Sequence, residues 1–287
     1  MSVGGFLALI EDAAAERGYQ TELSLFPGGE LPPLDGGKSF QPPVARVKLL
    51  RSAAAAAPVY LDAISSATVK ADLGAPALQS DARSSFLSLN GFPGVHMSFL
   101  QEPADLAVLK PILKDAYRLE LTNGPTLSES YHLMRRNARQ IRAQPWGLSY
   151  GSSFPQKSLG SIEFFETLFP MKMEQWGLSG VDKFDIEIDR GGTFLIIETD
   201  GNSRQHQIMA GMLFQRVWLK AIHEGYAILP ASQPLQEYAA MSALYKAVHR
   251  RFADPGETIQ MIALLGTPHA GYRVGFRIPT ESLLRHE

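Results

Sequence analysis

The stretch SRQHQIMAGMLFQRVWLKAIHEG, residues 203–225, decides how the rest of the chain is read. Asn202 and Ser203 open it, Gly225 closes it, and the residues between are apolar on nearly every side. A helix of that kind is buried on all faces, so it is expected at the centre of the molecule. YAIL (226–229) follows as a short strand, and IQMIALLG (259–266) reads as a buried strand. Before the helix, KFDIEI (183–188) alternates and FLIIET (194–199) is apolar. Asp189-Arg190-Gly191-Gly192 lies between them, which predicts a hairpin.

Working outward, residues 3–18 predict a helix with Phe6, Leu7, Ile10 and Ala14 at helical spacing. TELSLF (21–26), VARVKLL (44–50) and VHMSFL (95–100) predict strands. Residues 27–43 and 145–160 read as loops, 52–58 are low in complexity, and 59–70 predict a short helix or turn. Residues 80–91, 104–120 and 235–252 predict helices, the second kinked at Pro111. Thr126 and Glu129 predict a capping box, with Tyr131, Met134, Ala138 and Ile141 on one face of the helix that follows. The tail, with Arg277 and Pro279, ends in a short helix. Together these elements predict the α+β class: helices packed on a mostly antiparallel sheet around a long central apolar helix.

The 287 residues carry 27 Lys+Arg against 29 Asp+Glu, a formal charge of −2. That balance argues against nucleic acid as a partner and against a polybasic membrane anchor. No apolar run reaches the roughly 20 residues of a membrane span. The chain has no cysteine, which excludes disulfides, thiolate nucleophiles and Cys-ligated metal sites. The N-terminus has no basic region before its apolar run, so it reads as a helix rather than a signal peptide. As written the protein is expected in the cytoplasm; an export signal upstream of residue 1 would make it periplasmic.

Few motifs carry chemistry. Gly147-Leu148-Ser149-Tyr150-Gly151 fits the G-x-S-x-G pattern of a hydrolase nucleophile elbow. That elbow needs a strand before the serine and a helix after it, and the flanking residues read as neither. A serine hydrolase at Ser149 is thus the weakest of the functional readings. None of the seven histidines stands in a metal-ligand spacing, and no metal is expected. No G-x-G-x-x-G or P-loop is present. The junction Pro230-Ala231-Ser232-Gln233-Pro234-Leu235-Gln236-Glu237-Tyr238 is different. It is dense in amide and hydroxyl groups beside the small residues Ala210-Gly211, and a flavin needs such donors next to apolar faces.

On GNSRQHQIMAG, GYAILPASQPLQEYAAM and TIQMIALLG with FRIP, the sequence resembles the nitroreductase-like flavoprotein superfamily. It is most similar to the branch of longer bacterial chains that often carry a twin-arginine signal and are related to the mycobacterial Acg proteins. GGFLALIEDAAAERGYQTELSLFPGGE, PVARVKL and SESYHLMRRNARQIR resemble the same branch in order. The resemblance implies an α+β nitroreductase-like fold binding FMN. It implies NAD(P)H as reductant and nitro or quinone-like small molecules as electron acceptors. In such proteins the flavin carries the chemistry. Carried over by position, Ser232 and Gln233 sit at the flavin ring edge and Arg277 contacts the phosphate.

Two departures bear on this. The family carries an arginine-rich phosphate clamp where this chain reads Ile64-Ser65-Ser66-Ala67-Thr68-Val69-Lys70, so Thr68 and Lys70 are what remains of it. The family also has an Asn-Pro-His-Asn-x-Gln-Pro-Trp segment ahead of the catalytic domain. Gln144-Pro145-Trp146 echoes its end from the wrong part of the chain, a coincidence. The resemblance therefore leaves two readings: an FMN-dependent oxidoreductase, or a non-catalytic flavin-binding or pseudoenzyme member with a degenerate clamp. The branch imitates a nitroreductase dimer with two half-domains in one chain. Residues 1–57 then read as the remnant of an N-terminally shortened first half and 58–287 as the nitroreductase-like domain. A shortened half leaves apolar surface to cover, so a homodimer is expected.

Overall fold

The structure is a computed structural model that describes residues 1–29, 43–52, 63, 69–70, 73–74, 77–154, 156–268, 278 and 281. At its centre β7 (Phe194–Thr199) runs between β4 (Val95–Leu100) and β9 (Thr258–Pro268), and both pairings are antiparallel. The far edge of β9 takes β8 (Ala227–Pro230) and β3 (Leu73–Gly74), also antiparallel. Alternate residues of β7 therefore enter two cores. Phe194 and Ile196 face α3 (Pro103–Thr122), α7 (Met173–Arg190) and α9 (Ser242–Phe252), packing with Leu109, Leu113, Phe184, Ile188 and Val248. Leu195 and Ile197 face α2 (Ser80–Leu87) and α8 (Arg204–His223), packing with Phe86, Leu213 and Val217.

The expected central helix is α8. Ser203 caps it by accepting the His206 N–H at 3.1 Å, and Gly225 leaves it at φ +79°. One face of α8 lies on the sheet. The other is covered by α1 (Ser2–Glu16) and by the antiparallel pair β1 (Tyr19–Leu25) and β2 (Ala45–Arg51), through Leu7, Ala8, Phe26, Ile208 and Met212. Layers on both sides are why its middle, Ile208–Phe214, is apolar without a break. Contact with α1 runs through two glycines: a Cβ on Gly4 would lie 1.9 Å from the Ile208 carbonyl oxygen, and one on Gly211 would lie 2.1 Å from that of Met1. Gly4→Val is accordingly expected to destabilise the protein by about 1–3 kcal/mol through overpacking, read as a lower denaturant midpoint. An unchanged midpoint would mean that α1 does not dock this way.

Several expectations are corrected. KFDIEI is not a strand: it lies in α7, and the hairpin does not form. Val181, Phe184 and Ile188 are buried at helical spacing while Ile186 faces solvent, so the alternation is accidental. α7 instead pairs with α3, where Phe184 stacks on Tyr117 at 4.0 Å and Asp185 and Asp189 accept from Arg118 and Lys114 at 3.0 and 2.8 Å. Gly177 permits the approach, since a Cβ there would sit 2.6 Å from the Leu121 carbonyl oxygen. The helix expected from the capping box is two helices, α4 (Gly124–Leu133) and α5 (Ala138–Ala143), with Asn123 preceding the first. Thr126 donates to the carbonyls of Glu120 and Asn123 and caps no backbone N–H, and Met134 leaves the helix as β5 (Met134–Arg135), which pairs with β6 (Leu148–Ser149) in parallel. The loop expected over 145–160 gives way to α6 (Gln156–Leu168). Residues 235–240 are not part of α9, which begins at Ser242 after two short 3-10 turns. α3 runs unbroken through Pro111, whose missing N–H frees only the carbonyl of exposed Ala107. Most of 59–70 and of the C-terminal tail lies outside the described residues. Among the described residues no helix is long and apolar enough to cross a membrane.

Candidate functional site

A cavity of about 370 Å³ opens between α3, α6, α7 and the turn that follows β8, and a smaller one of about 70 Å³ adjoins it. The first lies in the size range of small-molecule and cofactor sites. The way β8 ends sets one wall. Its strand pairing finishes at Pro230, Ala231 N–H donates to the Ile262 carbonyl at 2.8 Å, and the chain then turns through the 3-10 segment Gln233–Leu235. Gln233 is left on both cavities, its Oε1 buried without a hydrogen-bond partner. An orphaned buried acceptor of this kind costs about 1–3 kcal/mol, which a ligand N–H or O–H would offset.

Lys70 lines both cavities with Gln233 although it stands 163 positions earlier (233 − 70), just after buried Val69 has anchored its segment in the core. Burial holds the Lys70 ammonium below its usual range, and the charge of Glu120 opposes that shift. Lys183, on α7, is the second cation of the wall. Its ammonium lies 3.2 Å from the centre of the Phe154 ring, and burial lowers its pKa to about 8 against the opposing pull of Glu166. Glu166 is itself buried and accepts the Met171 N–H at 3.3 Å. Glu120 is tied across the site by the Gln236 amide, which donates to it at 3.0 Å. Tyr117 supplies an apolar face, and its hydroxyl is pushed up by burial and by Glu120. Two cations, two carboxylates, an orphaned amide carbonyl and aromatic walls thus meet in one space. Such a set can hold a flat ring with an anionic arm.

Of the residues singled out in the sequence, Lys70 and Gln233 come together here. Ser232 precedes Gln233 in the chain, its carbonyl accepting from Leu235 N–H at 3.0 Å, and its side chain is not on the cavity wall. Thr68 and Arg277 lie outside the described residues. Tyr117, Glu120, Glu166 and Lys183 carried no local signal: they come from three helices, the first two from α3, Glu166 from α6 and Lys183 from α7, and only packing brings them together.

No protein-family model matches the sequence, and no curated protein matches it. Solved structures do resemble it in shape. A nitroreductase with bound FMN from Bacteroides fragilis NCTC 9343 shares 10% identity over 80% of this chain and 99% of its own, with a TM-score of 0.47. An FMN- and NADPH-dependent nitroreductase from Sphigopyxis sp. strain HMH shares 13% over the same fractions, with a TM-score of 0.47. A BluB-like flavoprotein from Clostridium difficile 630 shares 7%, again over 80% and 99%, with a TM-score of 0.44. The likeness is one of shape alone.

Ser149 also reaches the cavity, at the end of β6. A 3-10 turn, Tyr150–Ser152, follows it rather than the helix of a nucleophile elbow, and no histidine lines the cavity among the described residues. Trp146, of the Gln-Pro-Trp echo, lies under the Arg135 guanidinium at 4.6 Å and not on the cavity wall.

Proposed function

We propose that this protein binds FMN in the cavity between α3, α7 and the Gln233 turn, and that it is an FMN-dependent oxidoreductase of the nitroreductase type. One observation carries the reading. Lys70 and Gln233, the two described residues of the expected flavin site that remain distant in sequence, stand on one cavity wall. Both are positions that the resemblance places at the flavin. The donor set fits the group: Lys70 and Lys183 for a phosphate, the unpartnered Gln233 carbonyl for a ring N–H, and Tyr117 for an apolar face. Thr68 and Arg277 are further proposed contacts, and Ser232, whose side chain is off the cavity wall, is proposed to set the turn that presents Gln233.

When bound, FMN would take electrons from NAD(P)H and give them to a nitro or quinone-like acceptor. The chain's part is to hold and enclose. Lys70 and Lys183 neutralise the anionic arm, Glu120 fixes the turn through Gln236, and the aromatic walls keep water from the ring. Residues 58–287 are the proposed catalytic domain. Residues 1–57, whose described elements α1, β1 and β2 pack on the outer face of α8, are the proposed remnant of a first half-domain, and a homodimer is the proposed assembly.

Protein supplied with excess FMN is expected to oxidise NADH or NADPH in the presence of a nitroaromatic or quinone acceptor. Flavin binding without turnover for either reductant would instead make it the non-catalytic alternative. A pH dependence follows from Lys183. Its ammonium is charged below about 8 and neutral above, so affinity for FMN is expected to fall as pH rises through that value. Lys183→Met is expected to flatten the curve between pH 7 and 9, measured by flavin fluorescence titration. A wild-type affinity that does not change over that interval would remove Lys183 from the site.

A further inference from the structure

At the other end of β7 a second group of side chains is assembled by strand pairing alone. His96 stands on β4 and directly faces Glu198 across the β4–β7 ladder. Asp200 follows β7, and its N–H donates to the Gly94 carbonyl at 3.0 Å, which fixes it beside the start of β4. Glu257 precedes β9. As a result His96 Nε2 lies 2.9 Å from Asp200 Oδ1 and 4.0 Å from Glu257 Oε1, and the three ligand atoms all lie within 4.8 Å of one another.

A fourth group, His206, stands beside the arrangement. Asp200 Oδ2 and His206 Nε2 each lie 3.1 Å from where a Cβ on Gly94 would stand, so this glycine leaves the space in which they converge. Gly94 has φ +65°, which disfavours any other residue there. Two buried atoms beside the cluster, His206 Nδ1 and Glu198 Oε1, have no hydrogen-bond partner. Among the described residues no lysine or arginine pairs with Glu198, Asp200 or Glu257. The carboxylates are therefore left with histidine as their only nearby base and with no fixed cation.

We propose that His96, Asp200 and Glu257, with His206 as a fourth ligand, form a binding site for a divalent transition-metal ion such as Zn²⁺. The donor set is what selects the class. Imidazole with carboxylate suits zinc and its first-row neighbours, whereas calcium and magnesium favour oxygen donors alone. Around tetrahedral zinc, ligand atoms about 2.1 Å from the ion lie about 3.4 Å apart. The separations among His96, Asp200 and Glu257 bracket that value, and His206, which stands outside the 4.8 Å group, would have to swing toward them to complete the site. It shares no residue with the flavin cavity and stands independently of the proposed activity.

The test uses untagged full-length protein, treated with EDTA, desalted and titrated with ZnCl₂ by calorimetry, with Co²⁺ absorption as a second readout. The expected result is one ion per chain and the visible absorption bands of a four-coordinate Co²⁺ site. His96→Ala is expected to weaken binding by about tenfold or more, and His223→Ala, at the C-terminal end of α8, to leave it unchanged. Should His96→Ala fail to fold, Glu257→Gln serves in its place. Absence of binding, or binding that neither substitution weakens, overturns the proposal.

Discussion

Lys70→Ala is expected to weaken FMN binding by roughly 10- to 150-fold, the equivalent of one lost charge-assisted hydrogen bond of about 1.5–3 kcal/mol. The argument rests on what surrounds the ammonium. Lys70 is partly buried at the cavity wall, and burial already disfavours its charge. Glu120 is the charge that opposes this, yet its carboxylate is engaged by the Gln236 amide at 3.0 Å. An anion in the cavity would give the ammonium a partner of its own. Lys70→Arg should recover part of the affinity, because the positive charge is retained even though the guanidinium is bulkier. Fluorescence quenching on titration of FMN into wild type and both variants measures this. Equal affinity for Lys70→Ala and wild type would place the anionic arm elsewhere.

Ile188→Ala is expected to destabilise the fold by about 2–5 kcal/mol, while Ile186→Ala changes it by no more than about 0.5 kcal/mol. The two residues differ only in their place on α7. Ile188 is fully buried against β7 and α3, beside Phe184, Phe194 and Leu113, and Ile186 is half exposed. In the hairpin that the alternation of KFDIEI suggests, Phe184, Ile186 and Ile188 would share one buried face and both substitutions would be costly. Denaturant midpoints of the two variants separate the cases: similar losses would argue for the strand, and a large difference for the helix.

How much of the fold was legible follows from these particulars. The central place of α8 was readable because Ile208–Phe214 is an unbroken apolar run, and the structure covers it with the sheet on one side and α1 on the other. Strands 21–26, 44–50, 95–100, 194–199, 226–229 and 259–266 were readable from short apolar or alternating runs between turn residues. Segment 183–188 was misread because six residues fit a period of 2 and a period of 3.6 equally well. The glycines at 177 and 180, which let α7 approach α3, meanwhile hid the helix from its propensity. The break between α4 and α5 left one local mark, the N-cap Asn137, whose Oδ1 accepts the Gln140 N–H at 3.0 Å. It depends on the β5–β6 pairing and on buried Arg135, which donates to the His132 carbonyl at 3.0 Å.

The sites divide in the same way. Lys70 and Gln233 could be named from resemblance, but that they share a wall depends on how β8 ends and how the segment at Val69 is anchored. Lys183 lay inside the misread stretch, so its place in the cavity was out of reach. His96, Asp200 and Glu257 escaped any test of ligand spacing because they lie 104 and 57 positions apart (200 − 96; 257 − 200) and only the ladders of β7 unite them.

The central claim is that the cavity holds FMN, and the most direct test is an absorbance spectrum of the purified protein after incubation with FMN and desalting. Flavin bands that survive desalting, in roughly one equivalent per chain, are the result this account predicts. A colourless protein, with free FMN recovered in full, would contradict it.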